Sequence, residues 1–112
     1  MGFNISRTGN SVDWKTVKGP GKVVIFSKST CPYCDTIKRL FRSINIEFEV
    51  IEVNKEWDGS SQSKLKEESG LKTVPNVWIG ETQIGGCDDT KKAERSGKLY
   101  ELLDKEGIKY SK

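Results

Sequence analysis

The 112-residue sequence contains no histidine, one methionine, three prolines and three cysteines. Two of those cysteines share one Cys-x-x-Cys and only Cys87 is left as a third thiol, so one chain cannot assemble the four nitrogen and sulfur ligands of a structural zinc site. We therefore expect no metal. The same odd count does not build a disulfide framework, which points to a reducing compartment, most simply the cytosol. No stretch approaches the roughly 18 consecutive apolar residues of a membrane span. The opening residues, Met1-Gly2-Phe3-Asn4-Ile5-Ser6, lack the basic-then-apolar order of a secretory signal. Gly2 and Ser6 do match the spacing for N-myristoylation, but Phe3 is bulky beside the acceptor glycine, and one such chain gives only marginal binding. No stable membrane association is expected. Charge of one sign is also scarce: 19 basic against 16 acidic residues leave +3, with no Lys/Arg block or basic–aromatic stripe to hold a nucleic acid.

What is present is enough for one core. Hydrophobic residues make up 34% and charged residues 31% of the chain, polar for a globular protein but without the imbalance of a disordered one. Residues 1–10 carry no periodicity and read as a loose tail, and residues 11–112 read as a single domain, expected to be a monomer. Residues 11–18 suit a short helix capped by Ser11, with Val12, Trp14 and Val17 on its apolar side. Gly19-Pro20-Gly21 stops it. Residues 22–26 form a continuous apolar run with β-branched members, the pattern of a buried central strand. Ile37, Leu40, Phe41 and Ile44 then fall on one face of a 3.6-residue period. Residues 47–53 alternate as a second strand, and the strand–helix–strand unit is long enough for a parallel crossover.

Beyond it, residues 61–69 read as a polar surface helix capped by Ser60 or Ser61, with Leu65 inward and Gly70 as its stop. Residues 76–79 and 82–84 make a hairpin about Gly80-Glu81. Asp88 or Asp89 caps a helix to residue 96, and Gly97 separates it from a last amphipathic helix carrying Leu99, Leu102 and Leu103. The expected fold is α/β, a four-stranded mixed sheet with helices on both faces.

The chemistry centres on Cys31-Pro32-Tyr33-Cys34 at a strand-to-helix junction. Proline after the first cysteine suits the first helical position, since its fixed φ is helical and its missing N–H had no partner there. Cys31 then sits at a helix N-terminus, where free N–H groups and the positive dipole end favour an anion, and a thiolate is predicted. Stabilising a thiolate raises its population and lowers its nucleophilicity by similar factors, so the net gain is as a leaving group. Cys34, one turn further in, is expected to keep a more ordinary pKa and to act as the resolving thiol.

Cys31-Pro32-Tyr33-Cys34, Thr73-Val74-Pro75 and Gly85-Gly86-Cys87-Asp88-Asp89, in this order, closely resemble the dithiol glutaredoxins over about residues 11–106. The resemblance implies the thioredoxin fold, a cis peptide before Pro75, and reduction of protein disulfides and glutathione mixed disulfides with glutathione as donor. It also implies a glutathione site. Lys28 and Gln62 would meet the glycyl carboxylate, and Tyr33 is the aromatic within the motif. Val74, between Thr73 and Pro75, would pair with the tripeptide in strand fashion. Asp88 and Asp89, beside Gly86 and Cys87, would receive the γ-glutamyl end. Each position has a plainer reading as well. Lys28 and Gln62 are then surface residues, Asp89 a helix cap, Gly86 a positive-φ turn, and Cys87 a small residue that fits rather than a regulatory or dimer-forming thiol. Asn54 and Trp57 depart from the family pattern, which puts the loop packing there in doubt.

Two other functions compete. A thioredoxin-type oxidoreductase fed by a reductase is disfavoured by Thr30 before Cys31 and by the Gly85–Asp89 motif. An iron–sulfur cluster bridging two protomers through Cys31 and glutathione goes, in the family, with other residues in the Cys-x-x-Cys, and Pro32 disfavours it.

Overall fold

The structure is a computed structural model and describes residues 11–112. The tail expected over residues 1–10 and the acylation signal at Gly2 lie outside them. Four strands, β1 (Val23–Ser27), β2 (Glu49–Glu52), β3 (Asn76–Ile79) and β4 (Thr82–Gly85), form one sheet in the order β2-β1-β3-β4. β1 runs parallel to β2 and antiparallel to β3, and β3 pairs antiparallel with β4 across the Gly80-Glu81 turn. As a central strand β1 is buried along its whole length. Its uninterrupted apolar sequence is what covering by helices on both faces requires.

The helices are α1 (Pro32–Ser43), α2 (Val53–Glu56), α3 (Gly59–Ser69), α4 (Cys87–Ser96) and α5 (Lys98–Lys105), preceded by a 3₁₀ turn over Trp14–Thr16. Where one core was expected, alternate residues of the strands feed two, one on each face of the sheet. Val23, Ile25, Val77 and Ile79 pack on one face with Ile37 and Phe41 of α1, Ala93 of α4 and Leu99 and Leu103 of α5. Val24, Phe26, Ile51 and Trp78 pack on the other with Trp14, Val53, Trp57 and Leu65. The mixed sheet, helices on both faces and cis Val74–Pro75 peptide are those expected. No helix among the described residues is long and apolar enough to cross a membrane.

Several boundaries differ from expectation, most by a residue or two, and the larger differences follow where side chains find their partners. The first helix shrinks to a single 3₁₀ turn capped by Asp13, not Ser11, with Trp14 committed to the core. The second strand ends at Glu52, and Val53 begins α2 instead. α3 is capped by Asp58, whose Oδ1 accepts from the Ser61 N–H at 2.8 Å. Ser61 itself is buried, and its hydroxyl accepts from the Val12 N–H at 2.8 Å. α4 starts earlier than expected, with Gly86 in the capping position and Asp89 bonding back to it.

Candidate active site

Strand register brings the candidate residues together. Phe26 lies opposite Asn76, Val77 opposite Gly85, and Ser27 opposite Glu52. The C-terminal ends of β1, β2 and β4 and the N-terminal start of β3 therefore share one end of the sheet. From that end project the Lys28–Cys31 loop, the Thr73-Val74-Pro75 turn, the Gly86–Asp89 turn and α2.

Cys31 caps α1 in an extended conformation, with Pro32 following in the first turn. Its Sγ accepts from the Cys34 N–H at 3.2 Å, which satisfies one of the amides a helix start leaves free. The same sulfur lies 3.7 Å from the Val74 carbonyl, to which the protonated thiol donates. Cys31 is partly exposed and Cys34 fully buried, and all three cysteines are thiols.

Cys34 departs from its expected ordinary acidity: its pKa is pushed up to about 11. Burial is the main cause, because taking the thiol out of water penalises its charged form. A hydrogen bond with the Cys31 side chain and the Cys31 charge add to it, while the Ser27 hydroxyl and Lys28 backbone N–H pull the other way. Ser27, fully buried at the end of β1, was not among the expected site residues. Nothing in an apolar strand followed by Ser-Lys-Ser-Thr marks that hydroxyl rather than Ser29's as facing the thiol.

Cys87 opens α4, partly buried, and packs on the edge of the first core. Desolvation raises its pKa, opposed by Lys91 and reinforced by Asp88 and Cys31, so it stays a neutral thiol at physiological pH. Asp88 and Asp89 are both exposed in the first turn of α4, and the Asp89 Oδ2 accepts from the Gly86 N–H at 3.3 Å. Gly86 has φ −90°, so the positive-φ turn belongs to Gly85, at +122°. There a Cβ would also collide with the Asp89 carboxylate.

Tyr33 stands 67% exposed beside Cys31, the one large hydrophobic side chain left open among the described residues. Thr73 is exposed, Val74 and Lys28 are partly so, and Pro75 is buried. Gln62, on α3, turns its amide onto the protein: Nε2 donates to the Trp57 carbonyl at 3.1 Å. Cys31, Cys34 and Val74 are thus in direct contact and Asp89 closes on Gly86, while Gln62 is tied to the loop after α2 instead of to another candidate.

A family model for glutaredoxin matches residues 23–84, from the first strand into the last. The chain belongs to the glutaredoxin family. A glutaredoxin from Vernicia fordii is 49% identical over 86 residues, 76% of this chain and 83% of that one. A crystal structure of wheat glutaredoxin superposes with a TM-score of 0.76 at 46% identity, covering 83% of this chain and 90% of its own. A buckwheat glutaredoxin–glutathione complex superposes at 0.71 with 42% identity, covering 76% and 78%. With its Cys31-x-x-Cys34 motif the chain is a dithiol glutaredoxin of thioredoxin fold, a glutathione-dependent thiol–disulfide oxidoreductase.

Proposed function

We propose that residues 11–112 form one glutaredoxin domain in which Cys31 is the nucleophile and Cys34 the resolving thiol. The observation that carries this is the Cys31 sulfur itself, partly exposed at the start of α1, between the Cys34 N–H and the Val74 carbonyl. With a glutathionylated protein, the Cys31 thiolate attacks the glutathionyl sulfur. The protein sulfur leaves with the electron pair and takes a proton, and Cys31 holds glutathione as a mixed disulfide. The thiolate of a second glutathione attacks that same glutathionyl sulfur, releasing glutathione disulfide and the Cys31 thiolate. With a protein disulfide, Cys31 forms the mixed disulfide and Cys34 attacks the Cys31 sulfur. The second substrate thiol is expelled, and two glutathiones then reduce the internal bond.

The held glutathione lies across the end of the sheet. Val74 receives it in strand fashion, its carbonyl exchanging the Cys31 S–H for a peptide N–H. Lys28 meets the glycyl carboxylate, with Gln62 as a second contact once its amide leaves Trp57. Tyr33 and Thr73 flank the thiol, and Pro75 holds the Val74 turn. Gly86 and Cys87 line the far end, where the α4 N-terminus takes the γ-glutamyl carboxylate and Asp89, with Asp88 beside it, the ammonium. The buckwheat relative solved with glutathione supports this reading. Glutathionylated and disulfide-containing proteins are the substrates, and a monomer in a reducing compartment such as the cytosol is the working form.

Turnover of a glutathionylated substrate against varied glutathione tests the site. Lys28→Ala and Gln62→Ala should each weaken the dependence on glutathione, by about three- to tenfold in KM for the charged contact and less for the neutral one. They should leave alkylation of Cys31 close to the parent rate. Unchanged glutathione dependence in both would contradict the site. Thioredoxin reductase in place of glutathione should not sustain turnover.

A further inference from the structure

Between the end of β1 and the cap of α1 the chain has three residues without regular structure, Lys28, Ser29 and Thr30. The two on the solvent side, Ser29 and Thr30, are exposed. Ser29 is nevertheless held at two points by one side chain. Asn54 Oδ1 accepts from the Ser29 N–H at 3.1 Å, and Asn54 Nδ2 donates to the Ser29 Oγ at 3.0 Å. One planar amide therefore grips both the backbone and the hydroxyl of the loop's middle residue.

The grip is anchored behind. Asn54 lies on α2, a single turn of helix too short to hold itself by periodic packing. The flanking residues fix it instead: Val53 and Trp57 are 2% and 3% exposed, and the Trp57 ring sits 5.5 Å from that of Phe26 on β1. Glu56 Oε2 also accepts from the Glu52 N–H at 2.8 Å. The path runs from the second core through Trp57 and α2 to Asn54, and from Asn54 to the residue between Lys28 and Cys31.

We infer that Asn54 is a positioning residue that clasps the Lys28–Cys31 loop through Ser29 and so sets how Lys28 meets the carboxylate of glutathione. The inference rests on the role proposed above for Lys28. The clasp makes no contact with the thiols, so it acts on use of glutathione more than on the chemical step. It asks for a planar polar group at position 54 that accepts from the Ser29 N–H and also pairs with the Ser29 hydroxyl, which can either accept or donate. A carboxylate there meets that need, accepting from the Ser29 N–H and O–H, whereas an apolar isostere does not.

Steady-state kinetics with glutathione varied, on variants whose melting temperatures are recorded alongside, decides it. Asn54→Leu should raise the KM for glutathione about three- to tenfold, the effect of one or two lost hydrogen bonds, with kcat held within about twofold. Asn54→Asp should restore the parent KM even if it melts lower, which a merely structural role would not predict. Lys28→Ala runs in parallel. A raised KM in Lys28→Ala with none in Asn54→Leu overturns the clasp and keeps the site. A raised KM in Asn54→Leu with none in Lys28→Ala overturns the role of Lys28 and, with it, the inference that Asn54 acts through Lys28. An unchanged KM in both overturns both, and an Asn54→Asp as impaired as Asn54→Leu overturns the clasp.

Discussion

At the scale of single residues, the two thiols of the Cys31-x-x-Cys34 motif sit one helical turn apart and are held in opposite conditions. Cys31 is partly open and receives an amide N–H, while Cys34 is buried and pushed up to about 11. The second cause of that rise is a hydrogen bond with the Cys31 side chain. In the proposed cycle, once Cys31 is in a mixed disulfide its charge is gone and its sulfur is a weaker acceptor for the Cys34 S–H, so Cys34 becomes easier to ionise. Cys34→Ser should therefore keep much of the activity on glutathionylated substrates and lose reduction of protein disulfides. Equal losses in both assays would count against the division of roles.

The same shift has a consequence for stability, and its sign can be worked out. An unfolded cysteine titrates near 8.5, so between about 8.5 and 11 the unfolded chain has lost this proton and the folded one retains it. Stability should fall as pH rises through that window and be indifferent to Cys34 below it. Tyr100, pushed up to about 12 by burial and by Glu94, contributes in the same direction at the upper end. Urea unfolding of the parent and of Cys34→Ser from pH 7.5 to 10.5, under reducing conditions, separates the two, and the serine variant should lose the shallower part of the slope.

At the scale of elements, what could be read in advance was what periodicity and punctuation encode. β1 is a buried apolar run, α1 repeats Ile37, Leu40, Phe41 and Ile44 on one face, and Gly70 ends α3 in the left-handed conformation at φ +80°. α2 was not legible because a single turn has no period to show, and Val53 continues the alternation of the strand before it. Caps were misplaced for a related reason. Asp58, Ser60 and Ser61 can each cap, and tertiary contacts choose among them, while at residues 86–89 the Asp89 side chain bonds back to Gly86 and moves the cap there. Ser61 was drawn off to Val12, leaving the α3 cap to Asp58. Asp58→Ala should cost about 1 kcal/mol of stability, and Ser60→Ala only a few tenths. A urea midpoint shifted more by Ser60→Ala than by Asp58→Ala would contradict the assignment.

At the scale of the whole molecule, the topology gathers the candidate residues at one end of the sheet. A parallel β1–β2 pair and an antiparallel β3–β4 hairpin put three strand ends and one strand start together. The three motifs separated in sequence meet there, and the Cys31 sulfur comes to lie 3.7 Å from the Val74 carbonyl. That convergence was legible only through the family resemblance, since spacing along a chain does not say which strand ends are neighbours. The partners of Ser27 and Asn54 were not legible even so, because each is a single polar residue whose role depends on where a neighbouring strand stops.

The most direct test of the account is where oxidised glutathione lands. In Cys34→Ser, where the adduct cannot be resolved internally, treatment with stoichiometric glutathione disulfide followed by intact-mass and peptide analysis should find one glutathione, on Cys31, with Cys87 unmodified. An adduct chiefly on Cys87, or none on Cys31, would contradict the assignment of Cys31 as the nucleophile of this glutaredoxin.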